Sequence, residues 1–194
     1  MYDPEKHLSS ITLAPYIFKA MALIGVRRTG GGNMFRHQVA TMAILIDYKI
    51  IDPILLKAAV IHDLFEDAVG LPGVSREAII SLDADGPAVY DLVMEVTIRK
   101  SDGVKEPKPA YLTRIMESGS GRAKTLKLAD RISNLSTLGF VNEDGFVAKY
   151  LEETRKFILP YAGQINADMY RELCDLVEDR GRKLRLRCSP GSQA

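Results

Sequence analysis

The chain has 194 residues, a length that allows one domain with a sizeable core. Its 26 basic and 25 acidic side chains leave a net charge of +1, which excludes a strong overall attraction to nucleic acid or to an anionic membrane. No apolar run approaches the ~20 residues that cross a bilayer, and the N-terminus lacks the basic-then-apolar order of a signal peptide.

Helical spacing or helix start and stop signals recur along almost the whole chain. They predict helices over residues 11–26, 34–48, 53–68, 75–82, 86–99, 109–118, 122–138, 143–159 and 167–184. Glycine or proline separates many of these segments, and clean strand alternation nowhere exceeds about four residues. The chain is therefore predicted to be one all-α domain over 1–194, with a core at about 11–160 and a C-terminal helix and tail at 161–194.

Two cysteines, Cys174 and Cys188, lie far apart near the end of the chain. They are typical of free thiols in a reducing compartment and not of a disulfide framework, so we expect a cytoplasmic protein. A homo-oligomer is compatible with the sequence.

Acidic and basic side chains are concentrated late in the predicted helix 53–68. His62, Asp63, Glu66 and Asp67 interrupt an otherwise apolar run, and Asp52-Pro53 supplies the helix start signal. The helix dipole disfavours acids in the last turns, and the two aspartates are a like-charge i,i+4 pair. Each effect costs only about 0.3–1 kcal/mol. Together they suggest that a cation offsets the charge.

Side chains on two other predicted helices can complete a metal site. His37 lies in the helix 34–48, and Asp130 and Asn134 share a face of the helix 122–138. Two histidines and two aspartates from three helices would form a nitrogen and oxygen ligand set. Such a set suits Mn²⁺, Fe²⁺ or Zn²⁺ better than Ca²⁺, and would leave open positions for water and substrate.

An ordered pattern connects these residues with a known family. Its elements are Arg28, His37, His62-Asp63, Glu66-Asp67 and KLADRISN at 127–134. The pattern resembles the HD-domain phosphohydrolases, and within them the hydrolase domain of RelA/SpoT proteins and the stand-alone small alarmone hydrolases. The resemblance covers about residues 15–160. It implies a single HD-domain helical bundle that removes the 3′-pyrophosphate of (p)ppGpp, yielding GDP or GTP and pyrophosphate, with Mn²⁺ or another divalent ion as cofactor.

The resemblance also implies roles for individual residues. The implied metal ligands are His37, His62, Asp63 and Asp130. Glu66 and Asp67 would act on the attacking water, Arg28 would pack on the guanine base, and Asn134 would contact the substrate. Three more cations are candidates for substrate contacts: Arg27, Lys100 and Lys108.

The segment before the first histidine departs from the family pattern. Gln38 stands where the family usually has proline, and the preceding loop reads GGGNMFR. These changes keep the metal ligands but leave the nucleotide open. A 5′-nucleotidase, dNTP hydrolase or NADPH phosphatase of the same fold is one alternative, and a nucleotide sensor without turnover is another.

Each candidate residue also has a purely structural interpretation. A buried histidine can simply make a hydrogen bond, and Glu66 and Asp67 can belong to a solvated helix end. Asn134 can join two helices, and Arg28 can be a surface arginine. The TGGGN stretch at 29–33 lacks the lysine and preceding strand of a phosphate-binding loop, so it is interpreted as a flexible connector.

Overall fold

The computed structural model describes residues 4–188, which fold almost entirely into helices. The helices are α1 (Pro4–Ser9), α2 (Ala14–Ala20), α3 (Met34–Asp47), α4 (Pro53–Ile61), α5 (Leu64–Asp67), α6 (Arg76–Ile80), α7 (Gly86–Val96), α8 (Lys108–Thr113), α9 (Gly121–Leu138), α10 (Asp144–Phe157), α11 (Leu159–Ile165) and α12 (Ala167–Cys188). Two short strands, β1 (Lys100–Ser101) and β2 (Val104–Lys105), form a hairpin. The predicted all-α class is confirmed. Within the described range, no helix combines the length and apolar character that a membrane span requires.

Helix α9 lies at the centre of the bundle. It packs against α3, α4, α7, α11 and α12, so it is covered on most sides. Its buried apolar residues are Ala123, Leu126, Leu128, Ala129, Ile132, Leu135 and Leu138. Ser120 caps its first turn by accepting a hydrogen bond from the Ala123 backbone N–H. Polar groups on this helix are therefore held in the interior.

The predicted helix 53–68 is interrupted, so the prediction of one continuous helix was wrong. Asp52 does cap its start, accepting from the Leu55 N–H at 3.0 Å. The Ala59 carbonyl, however, accepts from the His62 ring at 2.8 Å instead of from the Asp63 N–H. That N–H bonds to the Gln38 side chain at 3.3 Å. Because the regular i to i−4 bond is replaced, α4 ends at Ile61 and α5 begins at Leu64.

Other differences concern the ends of helices. The predicted helix 11–26 ends early in a 3₁₀ turn at Met21–Leu23, and α8 continues as a π-helical turn at Arg114–Ser118. Helices α1 and α11 were not predicted. The last helix runs to Cys188, so part of the expected tail is helical, and 189–194 lie outside the described residues.

The sequence also contains a hairpin signal that the helical interpretation missed. Asp102 and Gly103 join β1 to β2, with φ angles of 51° and 78°. Two successive positive φ angles are typical of the type I′ turn, and Asp-Gly is a preferred sequence for it. Lys100 pairs directly with Lys105 across this hairpin, which projects two like charges into solvent.

An ion cluster formed by the buried Lys57 and two partly exposed aspartates joins the early helices. Lys57 on α4 donates to Asp83 at 2.7 Å and to Asp85 at 2.6 Å, and the Tyr16 hydroxyl donates to Asp83 at 2.8 Å. Burial raises the pKa of Asp83, but the hydrogen bonds from Lys57 and Tyr16 outweigh it and hold the pKa below its usual value. The cluster fixes α2 and α4 to the segment that precedes α7.

Replacing Lys57 with methionine should therefore destabilise the fold by about 2 kcal/mol, since two partly exposed aspartates lose a charged hydrogen-bond donor. Urea unfolding at pH 7 measures this. The contribution is complete above the unfolded-state aspartate pKa of about 3.9 and is lost as pH falls through the lower folded-state value. The difference between variant and wild type should thus shrink in acid. Lys149→Met, at an exposed position, should change stability by less than about 0.5 kcal/mol, and an equal effect of both variants would contradict the prediction.

Candidate active site

Two histidines direct one ring nitrogen each towards a common point. The Nδ1 atom of His37 lies 2.8 Å from the Ser133 hydroxyl, and the Nδ1 atom of His62 lies 2.8 Å from the Ala59 carbonyl oxygen. A carbonyl only accepts, so the His62 Nδ1 carries a proton and Nε2 of the neutral ring offers a lone pair. That Nε2 is buried and has no hydrogen-bond partner. A metal ion would satisfy it.

Two carboxylates face the same point. Oδ1 of Asp130 lies 3.1 Å from Nε2 of His37 and 3.7 Å from Nε2 of His62. Oδ2 of Asp63 lies 3.5 and 3.3 Å from the same two atoms. Ligands about 2.1 Å from one ion lie about 3.0 Å apart at a right angle and about 3.4 Å apart at the tetrahedral angle. His37, His62 and Asp130 therefore form a group that could hold one divalent ion, and Asp63 lies close to both histidines.

Helix α9 supplies partners that make the buried Asp130 carboxylate tolerable. Lys127 donates to Oδ2 of Asp130 at 2.6 Å and to the Tyr111 hydroxyl at 2.9 Å. The Asn134 amide donates to Oδ1 and to the Asp130 backbone carbonyl. Arg28 in turn donates to the Asn134 side-chain oxygen. Asp130 is thus held in place, with Oδ1 turned towards the histidines.

The charges of the cluster are strongly interdependent. Burial raises the pKa of Asp130, but Lys127 and the two histidines outweigh it and keep the pKa well below its usual value. Burial lowers the pKa of His62, but Asp63 and Asp130 outweigh it and raise the pKa to about 9. The carboxylates therefore favour a positive charge at this point, either a proton on His62 or a metal ion. Metal binding to such a site releases the proton.

Glu66 and Asp67 line the same cavity from α5. Glu66 accepts a hydrogen bond from the Ile98 backbone N–H at 2.8 Å, which fixes its position. Burial, followed by repulsion from Asp63, raises the pKa of both side chains. A raised pKa makes a carboxylate a better proton acceptor, which is what a group acting on water requires.

The cavity above the cluster has a volume of about 210 Å³. Five cations line it: Arg27, Arg28, Lys108, Lys127 and Arg131. Four carboxylates line it as well: Asp63, Glu66, Asp67 and Asp130. The lining side chains therefore carry a formal net charge of +1, and a divalent ion would raise this charge to +3. Such a cavity suits a multiply charged anion.

Nearly all the predicted site residues come together here. His37, Asn134 and Lys108 line the cavity with the residues just named, and His62 lies against it through its contacts with Asp63 and Asp130. Lys100 is the exception, because it lies on the exposed hairpin and does not line the cavity.

Sequence reasoning missed two aromatic residues of the site. Tyr111 accepts a hydrogen bond from Lys127, and the centroid of the Tyr150 ring lies 4.2 Å from the Arg131 guanidinium carbon. Each tyrosine falls within a helical segment, where an aromatic residue is typical of the core. The sequence pattern alone gave no signal that either faces a cavity.

The sequence suggested that the TGGGN segment at 29–33 is a flexible connector. The structure instead holds this segment against α9. Thr137 on α9 donates to the Gly30 carbonyl at 3.1 Å, and Arg28 donates to the Gly31 carbonyl at 3.2 Å. Gly31 has a φ of 84°, and a Cβ atom there would lie 3.4 Å from the Thr137 carbonyl oxygen. The glycine lets the loop approach α9 closely and places Arg28 at the cavity.

Comparison with known proteins identifies relatives of the chain. No family model matches the chain. It is 30% identical to the GTP pyrophosphokinase rsh of Brucella melitensis over 182 residues, 91% of this chain but only 23% of that protein. It is 32% identical over 150 residues to the guanosine-3′,5′-bis(diphosphate) 3′-pyrophosphohydrolase MESH1 of Drosophila melanogaster, 75% of this chain and 79% of MESH1.

A solved structure has the same fold. It belongs to a metazoan ortholog of SpoT described as hydrolysing ppGpp, and it superposes with a TM-score of 0.67 at 24% identity, covering 93% of this chain and 98% of that one. The shared helical fold and the histidine–aspartate cluster are those of the HD-domain class of proteins. On the extent of the match with MESH1, the chain belongs to the family of RelA/SpoT-type 3′-pyrophosphohydrolases. The resemblance inferred from the motifs is confirmed.

Replacing His62 with alanine should remove a ligand and weaken Mn²⁺ binding by more than about 100-fold, beyond the effect of losing a merely supporting contact. Calorimetric titration of the metal-free protein measures this. His7→Ala, on α1 outside the cluster, is the matched control and should bind Mn²⁺ normally. Unchanged affinity in the His62 variant would refute the assignment of this ligand.

Proposed function

We propose that the protein hydrolyses the 3′-pyrophosphate of (p)ppGpp in a manganese-dependent reaction, releasing GDP or GTP and pyrophosphate. The observation that carries the proposal is the position of the histidine–aspartate cluster in a cavity lined by five cations. The family relationship supports it, because MESH1 is named for this reaction. A role in the stringent response, in which the alarmone acts, is part of the proposal.

His37, His62, Asp63 and Asp130 would hold the ion. Imidazole and carboxylate ligands suit manganese among the divalent metals. When bound, the ion supplies a Lewis acid that lowers the pKa of a water molecule and polarises a phosphate oxygen. The protein residues hold the remaining groups in position around it.

Glu66 and Asp67 are assigned to the attacking water. Each lines the cavity, and each has a raised pKa. Such a carboxylate can orient the water and accept its proton, so that no covalent intermediate is needed. Glu66 is the stronger candidate for proton acceptor, because the Ile98 N–H holds it in place.

Lys108 is assigned to the pyrophosphate. Burial, together with repulsion from Lys127 and Arg131, lowers its pKa to about 8. An anion in the cavity would reverse that effect and keep the ammonium protonated. Lys108 would then make a charge-assisted hydrogen bond to the leaving group.

Arg27, Arg28 and Asn134 are assigned to the rest of the nucleotide. Arg28 and Asn134 already contact each other at the cavity wall, where the guanidinium plane can stack on a base. Lys100 is assigned to an outer phosphate. It lies directly opposite Lys105, and like charges in that position repel, so an anion between them would relieve the repulsion.

The proposal extends to the setting of the enzyme. The two cysteines have no disulfide partner, which suits the reducing cytoplasm. We further propose that residues 1–194 form one domain and that the partner is a small nucleotide.

The first test is to incubate metal-free protein with ppGpp and Mn²⁺ and to separate the products by ion-exchange chromatography. We expect GDP and pyrophosphate in equal amounts, and no turnover without metal. Asp63→Ala, which removes a proposed ligand, is the negative control. Bound metal without cleavage of ppGpp would refute the substrate, and a panel of NADPH, nucleoside monophosphates and dNTPs would then identify another phosphohydrolase. Nucleotide binding without any product would support a sensor.

Glu66→Gln should bind Mn²⁺ as the wild type does but lose about 10²- to 10⁴-fold in turnover, because the amide cannot accept the proton of the water. Calorimetry and the product assay separate the two effects. Glu152→Gln, at an exposed position on α10, is the matched control and should keep full activity. Loss of metal binding in Glu66→Gln would instead make Glu66 a ligand.

A further inference from the structure

Gln38 is a buried polar residue next to the first metal-site histidine. It lies on α3 and is 0% exposed. A buried amide is costly unless its donors and acceptor have partners. This is also the position at which the sequence departs from the proline usual in the family. Its partners therefore indicate what this chain does differently.

Both ends of the Gln38 amide contact Asp63. Nε2 donates to Oδ2 of Asp63 at 2.9 Å, and Oε1 accepts from the Asp63 backbone N–H at 3.3 Å. A backbone N–H can only donate, so the oxygen of the amide must face it and the nitrogen must face the carboxylate. The orientation of the amide is therefore fixed by its partners.

One of the two hydrogen bonds satisfies a backbone N–H that the helix interruption leaves without an acceptor. The Ala59 carbonyl is occupied by the His62 ring, so the Asp63 N–H lacks its usual intrahelical acceptor. Gln38 replaces that acceptor. The same side chain holds Oδ2 of Asp63 at 3.3 and 3.5 Å from the two histidine Nε2 atoms. Gln38 thus fixes both the backbone and the carboxylate of Asp63.

We propose that Gln38 is a positioning residue that holds Asp63 in the geometry of a metal ligand. The inference uses the metal site of the proposed function and rests on it to that extent. A proline at this position has no side-chain donor or acceptor and could not make either bond. The chain therefore fixes its ligand aspartate through an amide contributed by a neighbouring helix.

Gln38→Met keeps the length of the side chain and removes both hydrogen bonds. Loss of a contact that orients a ligand typically weakens metal binding by about 10- to 100-fold. We expect the Mn²⁺ dissociation constant of the metal-free protein to rise by that factor in calorimetric titration. The dependence of hydrolysis on Mn²⁺ concentration should shift by the same factor, with the plateau rate at saturating metal largely retained.

Thr41→Val is the matched control. Thr41 is also 0% exposed on α3, one turn beyond His37, and donates to the His37 backbone carbonyl at 3.0 Å. Its loss should lower the melting temperature but leave the Mn²⁺ dissociation constant within about twofold of wild type. A merely structural role for Gln38 would produce the same result in Gln38→Met, namely lower stability without a shift in the metal titration.

A dissociation constant within about twofold of wild type in Gln38→Met would overturn the inference. Should that variant fail to fold, Gln38→Asn carries the test, because it stays polar but is one methylene too short to reach Asp63. Metal binding is measured without nucleotide. A shifted dissociation constant in a protein that does not cleave ppGpp would therefore keep the inference and reject only the proposed substrate.

Discussion

Burial of the Asp130 carboxylate at the centre of the bundle is the constraint on which the rest of the site depends. Taking one carboxylate out of water costs several kcal/mol unless cations and donors surround it. Part of this compensation comes from the same helix, from Lys127 three residues before Asp130 and Asn134 four residues after it. His37 on α3 adds to it. The surrounding helices must therefore pack so that these side chains converge. The fixed positions of the side chains around the cavity follow from that requirement.

The interruption between α4 and α5 shows where reasoning from sequence succeeds and where it stops. His62 and Asp63 could be predicted as candidate metal ligands from their residue types and spacing, because imidazole and carboxylate groups are typical ligands. The interruption could not, because a helical pattern treats each backbone carbonyl as the acceptor of the residue four positions later. At Ala59 the histidine ring takes that role, and the displaced N–H finds its acceptor on α3. Such an exchange of hydrogen-bond partners depends on contacts between helices that are distant in the sequence.

The same distinction applies to the cavity wall. Asp130 and Asn134 share a helix face in the sequence, and the structure keeps them together. Tyr111 and Tyr150 face the cavity because α8 and α10 pack against each other and place the two rings next to Lys127 and Arg131 of α9, which no local pattern encodes. The sequence of the glycine loop is likewise that of a simple connector, because its hydrogen bond with Thr137 forms only in the folded protein. The residue types of a candidate metal site are thus encoded locally in this chain, whereas the shape of the cavity around them depends on packing.

The ligand cluster draws on three separate stretches of the chain, on α3, on the α4–α5 junction and on α9. An ion held there binds the folded chain and not the unfolded one, so it acts as a reversible cross-link between distant segments. At a free concentration one hundred times its dissociation constant, such a ligand stabilises the fold by about 2.7 kcal/mol. For a protein with the proposed metal site, the thermal stability would report the concentration of free metal, and loss of the metal would favour unfolding and proteolysis as well as loss of activity.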